Sequence, residues 1–347
     1  MLAGCFTALI TPFKDESVDY DGLERIVEFQ LQNRISGILA AGTTGESPSL
    51  TWDEHNAVIE TVSRLTRNRC VCIAGTGSNN TAEALNATRH AVESGVQAVL
   101  VVDPYYNGPS SLEIRREYIE PMARAFPHVE IIPYIIPGRT GTQLLPEDLA
   151  LLHKRYANVK TVKEATGSLD NMKRTRFCCG SGLSILSGDD ALTCEMIQNP
   201  EIAASGVISV VSNIAPGPVG RLVALAAEKK LDEASDLMKA LQPLFDLVTV
   251  KTTESTPMGP VMCRARNPLP IKTLMALLGM PGGKCRPPLG RMTINGFNKV
   301  VQAARSVQDR NPEILRPVAE FFGVDIEARL TDPDFRHGLY YEKPYTE

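Results

Sequence analysis

Strongly one-signed charge, long apolar runs and clustered metal ligands are all missing from this chain, and each absence removes a class of function. The 36 Lys and Arg residues against 40 Asp and Glu leave a net charge of −4 over 347 residues. That balance gives no electrostatic footprint for a nucleic acid or an anionic membrane surface. Arg64, Arg67 and Arg69 form a cluster too short to alter this, and it reads as a helix end with its solvated loop. No apolar run approaches the ~18 residues that span a bilayer. The five histidines form no HExxH-type group. The eight cysteines include no CxxC pair, and Cys70/Cys72 and Cys178/Cys179 have neither zinc spacing nor disulfide-scaffold density. No metal or cofactor is therefore expected, and free thiols in a reducing cytoplasm are.

The segment Met1 to Pro12 is apolar but has no basic flank and is cut by Pro12, so it is not expected to be a secretory signal. Leu2-Ala3-Gly4-Cys5 resembles a lipoprotein cleavage box but has no apolar segment before it. Residues 5–11 read more simply as part of a first strand.

What is present is core. With 43% hydrophobic residues, the chain can bury one barrel of about 250 residues with an appendage, or two domains. Short apolar runs at 4–10, 36–41, 70–74, 97–102, 129–135, 158–163, 183–186 and 205–210 alternate with helical patterns at 21–33, 52–66, 80–94, 111–126, 146–156, 168–177, 189–198 and 216–229. Thr51, Ser111 with Glu113, and Pro146 supply helix-start signals. Eight strand–helix units with continuously apolar strands point to a parallel sheet covered by helices, and eight units close a (β/α)8 barrel. An open doubly wound sheet would call for a glycine fingerprint after the first strand, and Thr11-Pro12-Phe13-Lys14 does not supply one. Residues 1–230 are thus expected to form the barrel and 231–310 a helical appendage, with helices at 231–250, 268–279 and 293–308. Residues 311–347, rich in Pro and charge, are expected to form an arm lying on the surface or on a neighbouring subunit, or to be partly disordered.

A barrel places its chemistry at the C-terminal ends of its strands. Four loops at that rim carry polar groups: Gly42-Thr43-Thr44-Gly45-Glu46-Ser47, Pro104-Tyr105-Tyr106-Asn107, Tyr134 with Pro137-Gly138-Arg139-Thr140-Gly141, and Lys163 with Glu164-Ala165-Thr166-Gly167. Taken singly, each has an ordinary explanation: a tight turn, a packed tyrosine, a surface arginine, a solvated lysine. Their meeting on one rim favours chemistry. A lysine in dry surroundings loses its proton readily, and its neutral amine attacks a carbonyl to form a Schiff base.

Together with Ser187-Gly188-Asp189-Asp190 and Gly206-Val207-Ile208-Ser209-Val210, these segments resemble the dihydrodipicolinate synthase/N-acetylneuraminate lyase family of pyruvate-dependent class I aldolases, over residues 4–305. The synthase branch is the better match. That resemblance implies condensation of pyruvate with L-aspartate 4-semialdehyde on the route to diaminopimelate and lysine. Lys163 would form the imine, and Thr43, Tyr106 and Tyr134 would relay protons. Thr44, with Thr43, would hold the pyruvate carboxylate, with Gly188 and the Val207 backbone beside the bound substrate. Arg139 would grip the semialdehyde carboxylate. In the family the tyrosine matching Tyr106 crosses from a neighbouring subunit, which implies a homodimer or homotetramer. Arg139 favours the synthase branch, because sialic acid lyases, whose substrate offers polyol hydroxyls there rather than a carboxylate, lack it. Tyr134 is followed by Ile135-Ile136, where the family generally has an asparagine first.

The same resemblance implies an allosteric pocket of His55, Asn79, Glu83 and Tyr105 for L-lysine as a feedback inhibitor, with Trp52 beside it. Three alternatives stay open: another aldolase or lyase of the family acting on a 2-keto-3-deoxy acid or N-acetylneuraminate, a non-catalytic barrel acting as a regulator or scaffold, and phosphate or nucleotide binding at Gly75-Thr76-Gly77-Ser78-Asn79. The last lacks a P-loop lysine.

Overall fold

The computed structural model describes residues 1–343 and 345. Eight parallel strands close into a barrel: β1 (Gly4–Ala8), β2 (Gly37–Ala40), β3 (Val71–Gly75), β4 (Ala98–Val102), β5 (Glu130–Ile135), β6 (Thr161–Glu164), β7 (Ser184–Ser187) and β8 (Gly206–Ser209). The ring closes where Gly4 of β1 registers with Gly206 of β8 and Phe6 registers with Gly37 of β2. Because successive residues face opposite sides of a strand, each strand feeds two cores. Phe6, Leu39, Ile73, Leu100, Ile132, Leu186 and Ile208 fill the barrel, capped by Tyr134. Their neighbours Ile38, Cys72, Val99, Ile131, Ile185 and Val207 pack outward under the helices. Burial on both faces is why the strands read as unbroken apolar runs.

The helices that cover the barrel are α1 (Tyr20–Gln32), α2 (Trp52–Thr66), α3 (Thr81–Glu93), α4 (111–125), α5 (Pro146–Arg155), α6 (Leu169–Cys179), α7 (Thr193–Gln198) and α8 (Pro216–Ala227). Thr51 and Glu54 form the full capping box of α2. On α4 the capping residue is Ser110, with Glu113 as its partner, rather than Ser111 as the spacing suggested. The hydroxyl of Ser111 is taken up instead by Asp148, at 2.5 Å. The widened turn of α4 at Ile114–Ile119 precedes Pro121, which has no N–H for the carbonyl of Glu117. Thr81 donates its hydroxyl to that carbonyl at 3.1 Å. The helix expected over 189–198 starts only at Thr193, because Asp189 and Asp190 are used in a turn.

Beyond the barrel come α9 (Leu231–Phe245), α10 (Leu269–Leu277) and α11 (Ile294–Arg310), so the helical appendage is present. One part of it is not helical. Residues 249–266 form an antiparallel hairpin of β9 (Thr249–Thr256) and β10 (Gly259–Arg266). Its strands alternate weakly, since mainly Val250 and Glu254 of β9 are buried while most of β10 is open to solvent. A search for continuous apolar runs therefore passes over it.

The last stretch is packed on its own chain. It forms α12 (Arg316–Phe322) and α13 (Ile326–Thr331), with the rings of Phe321 and Phe322 lying 5.4 and 5.3 Å from that of Phe29 on α1. Tyr340–Tyr341 then pairs with Met292–Thr293. Pro344, Thr346 and Glu347 of the expected arm lie outside the described residues.

Candidate active site

The floor of the site is made by β5 and β6, which place Tyr134 and Lys163 side by side as register partners. Lys163 is only 5% exposed, and its Nζ lies 4.2 Å from the centroid of the Tyr134 ring. Burial removes the solvent that would stabilise an ammonium and lowers the Lys163 pKa to about 7; Asp190 works against the shift and Arg139 adds to it. An amine with that pKa is substantially neutral at ordinary pH, which is what attack on a ketone requires.

The room for this side chain comes from Gly188. A Cβ there would stand 3.1 Å from Lys163 Cε and 2.7 Å from Ala165 Cβ. Asp190, two residues on, is buried with Oδ2 accepting from the backbone N–H groups of Val210 and Val211 at 2.9 and 3.1 Å. Its other oxygen has no partner among the described residues. Burial raises the Asp190 pKa to about 6. Val207, between these segments, sends its side chain into the outer core, so what it turns to other groups is backbone.

Burial also raises the pKa of Tyr134, while Arg139, a hydrogen bond with Thr43 and the more distant Arg266 pull it down. A phenol held protonated can both donate and accept. Thr43 and Thr44 sit in the loop after β2, whose two ends, Ala41 and Glu46, both have left-handed backbone (φ 50° and 56°). That strain needs support, and it has it. Thr11 donates to the Gly45 carbonyl at 2.7 Å, and Glu46 accepts from Lys272 Nζ at 2.6 Å and from the Arg286 N–H at 2.9 Å. Thr44 Oγ1 accepts from Asn267 Nδ2 at 2.9 Å, leaving its own proton free to donate.

Arg139 rides on the short helix Pro137–Thr140 after β5 and donates to the Asn267 carbonyl at 2.9 Å. The protein packed around its guanidinium lowers its pKa, yet a guanidinium keeps its charge at any ordinary pH. Arg139, Tyr134 and Thr43 line a cavity of about 420 Å³. Lys163 is not among its lining residues; its amine lies against the face of Tyr134.

The same cavity is also lined by Trp52, His55, Ser78, Glu83 and Tyr105. His55 is buried, with Nε2 paired to the Gly75 carbonyl at 2.9 Å, Nδ1 without a partner among the described residues, and a pKa lowered by burial. Ser78 donates to Glu83 at 2.6 Å. Asn79 is exposed and is not part of this lining. Tyr106 also stands apart: it is 89% exposed and has a left-handed backbone, φ 81°.

Three residues of this neighbourhood escaped the sequence reading. Asp190 lay inside a quoted motif without a role. Arg266 and Asn267, at the end of the hairpin, carry no local sign that they meet residues 128 and 223 positions upstream.

A family model described as the dihydrodipicolinate synthetase family matches residues 1–307. A Methanococcus maripaludis (strain C7) protein named 4-hydroxy-tetrahydrodipicolinate synthase is 39% identical over 306 residues, covering 88% of this chain and 99% of the relative. Among solved structures, the 4-hydroxy-tetrahydrodipicolinate synthase of Methylacidiphilum fumariolicum SolV superposes with a TM-score of 0.82 at 35% identity, covering 91% of this chain and 99% of that one. A Cyanidioschyzon merolae relative solved with lysine bound superposes with a TM-score of 0.79 at 32% identity, covering 88% and 98%.

Proposed function

This chain belongs to the dihydrodipicolinate synthetase family, and from that premise we propose how its own residues condense pyruvate with L-aspartate 4-semialdehyde as a 4-hydroxy-tetrahydrodipicolinate synthase. The observation that carries the reading is the buried Lys163, its pKa lowered to about 7, packed against Tyr134. Its neutral Nζ attacks C2 of pyruvate, the carbinolamine loses water, and the iminium serves as the electron sink while a base takes a proton from the methyl group, leaving the enamine. The enamine carbon attacks the aldehyde. The amino group of the semialdehyde then adds to C2 and expels Lys163, closing the ring. One water leaves in total. Tyr134 and Thr43 pass the protons between heteroatoms, joined by Tyr106 of a second copy. Thr44 and the loop amides hold the pyruvate carboxylate, next to Gly188 and Val207. Arg139 holds the carboxylate of the semialdehyde in a charge-assisted pair.

The barrel, residues 1–230, is the catalytic unit in this reading. The exposure and left-handed backbone of Tyr106 suit a side chain that completes the site of a partner, so the working form is a homodimer or homotetramer. Sedimentation of the purified chain as a monomer would sink that part. L-Lysine is the ligand for the part of the cavity that His55, Glu83 and Tyr105 line, where Glu83 pairs with its ammonium and His55 completes the polar shell; a titration to millimolar lysine without inhibition argues against it. The described residues contain no helix long and apolar enough to cross a membrane, and the reading places the enzyme in the cytoplasm.

The test is borohydride reduction with pyruvate followed by peptide mapping. An adduct on Lys163 is expected, and an unmodified Lys163 removes the mechanism. Turnover of the semialdehyde against N-acetylneuraminate then decides the branch.

A further inference from the structure

Two arginines from distant parts of the chain brace the backbone beside each other: Arg139 lines the cavity, and Arg266 adjoins it through Gly138. Arg139 Nη2 donates to the carbonyl of Asn267, the residue after Arg266, at 2.9 Å. Arg266 Nη1 donates to the carbonyl of Gly138, the residue before Arg139, at 3.2 Å. The crossed pair ties the end of β10 to the helix Pro137–Thr140, and it brings two like charges together. Like charges are held close only when other interactions outweigh their repulsion. No carboxylate forms an ion pair with Arg139, Arg264 or Arg266 among the described residues.

Each guanidinium uses one N–H in the crossed pair, and five are available on each. The charges also sense the reacting groups: Arg139 and Arg266 both lower the pKa of Tyr134. Arg264, two residues before Arg266 on the same face of β10, adds to the field on both. A cationic cluster without an internal counter-ion is built to receive an anion. The acceptor proposed above brings a carboxylate to this point, and Arg139 alone would leave the Arg266 charge unmatched.

We propose that Arg266, carried by the hairpin, is a second carboxylate-binding residue for the acceptor aldehyde, forming with Arg139 a two-guanidinium clamp that selects anionic aldehydes. The inference rests on the condensation reading and deepens it. The hairpin is then part of the acceptor site, contributing a specificity-determining side chain from outside the barrel.

Steady-state kinetics of Arg266→Gln and Arg266→Lys test this with the full chain. Loss of one charge-assisted contact should raise KM for aspartate semialdehyde by about 10- to 100-fold. The pyruvate KM and the rate of borohydride trapping with pyruvate alone should stay within about twofold, because Lys163 is untouched; Arg266→Lys, which keeps the charge without the fork, should recover part of the loss. Trapping reports folding and imine formation together, so a collapsed site cannot pass for a specificity effect. An unchanged semialdehyde KM overturns the inference. So does a rise in pyruvate KM with a parallel fall in trapping and kcat in both variants, which would mean that Arg266 only props Gly138. Wild-type protein that forms the pyruvate adduct but does not consume the semialdehyde overturns the condensation reading itself, a result separable from either variant's behaviour.

Discussion

Lys163 Nζ sits 4.2 Å from the centroid of the Tyr134 ring, on the neighbouring strand and in register with it. The face of an aromatic ring attracts a cation, while the dry barrel interior disfavours one. Burial prevails, and the amine pKa falls to about 7. In the proposed reaction Tyr134 therefore has two separable roles: its ring packs the amine, and its hydroxyl moves protons.

Tyr134→Phe separates them. The ring stays and the hydroxyl goes, so kcat should fall by about 10²- to 10⁴-fold, the usual worth of a positioned acid–base group. The pH midpoint for trapping the pyruvate imine should remain near 7. A variant with a wild-type kcat would remove Tyr134 from the proton relay.

The acid limb of imine formation should report Lys163 directly. Trapping should accelerate as pH rises through about 7, as the amine loses its proton. Asp190 raises the Lys163 pKa from its buried position. Asp190→Asn takes away that negative charge, leaves the protonated amine less favoured, and should move the limb to lower pH. Because Oδ2 of Asp190 accepts two backbone N–H groups, the asparagine oxygen can keep those bonds and the fold. A limb that moves upward, or stays in place, would show that Asp190 does not act on Lys163.

The barrel was legible because all eight of its strands are buried on both faces, so each left a short apolar run bounded by turn residues. Lys163 stood out at the end of such a run, although β6 begins at Thr161 and extends to Glu164, one residue past the lysine. The hairpin was not legible, since a mostly exposed antiparallel pair of Thr, Lys and Arg residues lacks the apolar periodicity that marks a strand. Arg266 was hidden for the same reason. Lys272 left a readable sign, a lone charge in the apolar helix Leu269–Leu277, but its partner lies 226 residues away. Local pattern carries no information about such pairings.

A buried amine with a lowered pKa costs stability, with a definite pH window. Below pH 7 Lys163 is protonated in both folded and unfolded chains, and the folded state bears the full cost of the buried charge. Between about 7 and the ordinary lysine value of 10.5 the unfolded chain still binds the proton and the folded one does not, so stability rises with pH across that window. Lys163→Met should therefore stabilise the protein most at pH 7 and below, with the gain shrinking as pH approaches 10. Urea denaturation at pH 7 and pH 9.5 measures it, and a gain that grows with pH would contradict a lowered pKa.

Lys272 and Glu46 form an ion pair whose side chains are each only 1% exposed, with Nζ to Oε1 at 2.6 Å. Lys272 also donates to the carbonyls of Thr11 and Lys284 and lies over the ring of Phe13 at 4.3 Å. Glu46 uses its second oxygen on the N–H of Arg286. The pair thus locks the left-handed end of the loop that carries Thr43 and Thr44 onto α10. Lys272→Met strands a buried carboxylate and should cost about 3–5 kcal/mol, the usual penalty for removing one partner of a buried pair. Glu46→Gln added to Lys272→Met removes the stranded charge and should restore part of that stability, while the loosened loop raises the pyruvate KM in both variants. Denaturation midpoints with pyruvate titrations check both halves. A single variant as stable as the parent would show that the pair is dispensable to the fold, and an unchanged pyruvate KM would show that the loop keeps its shape without it.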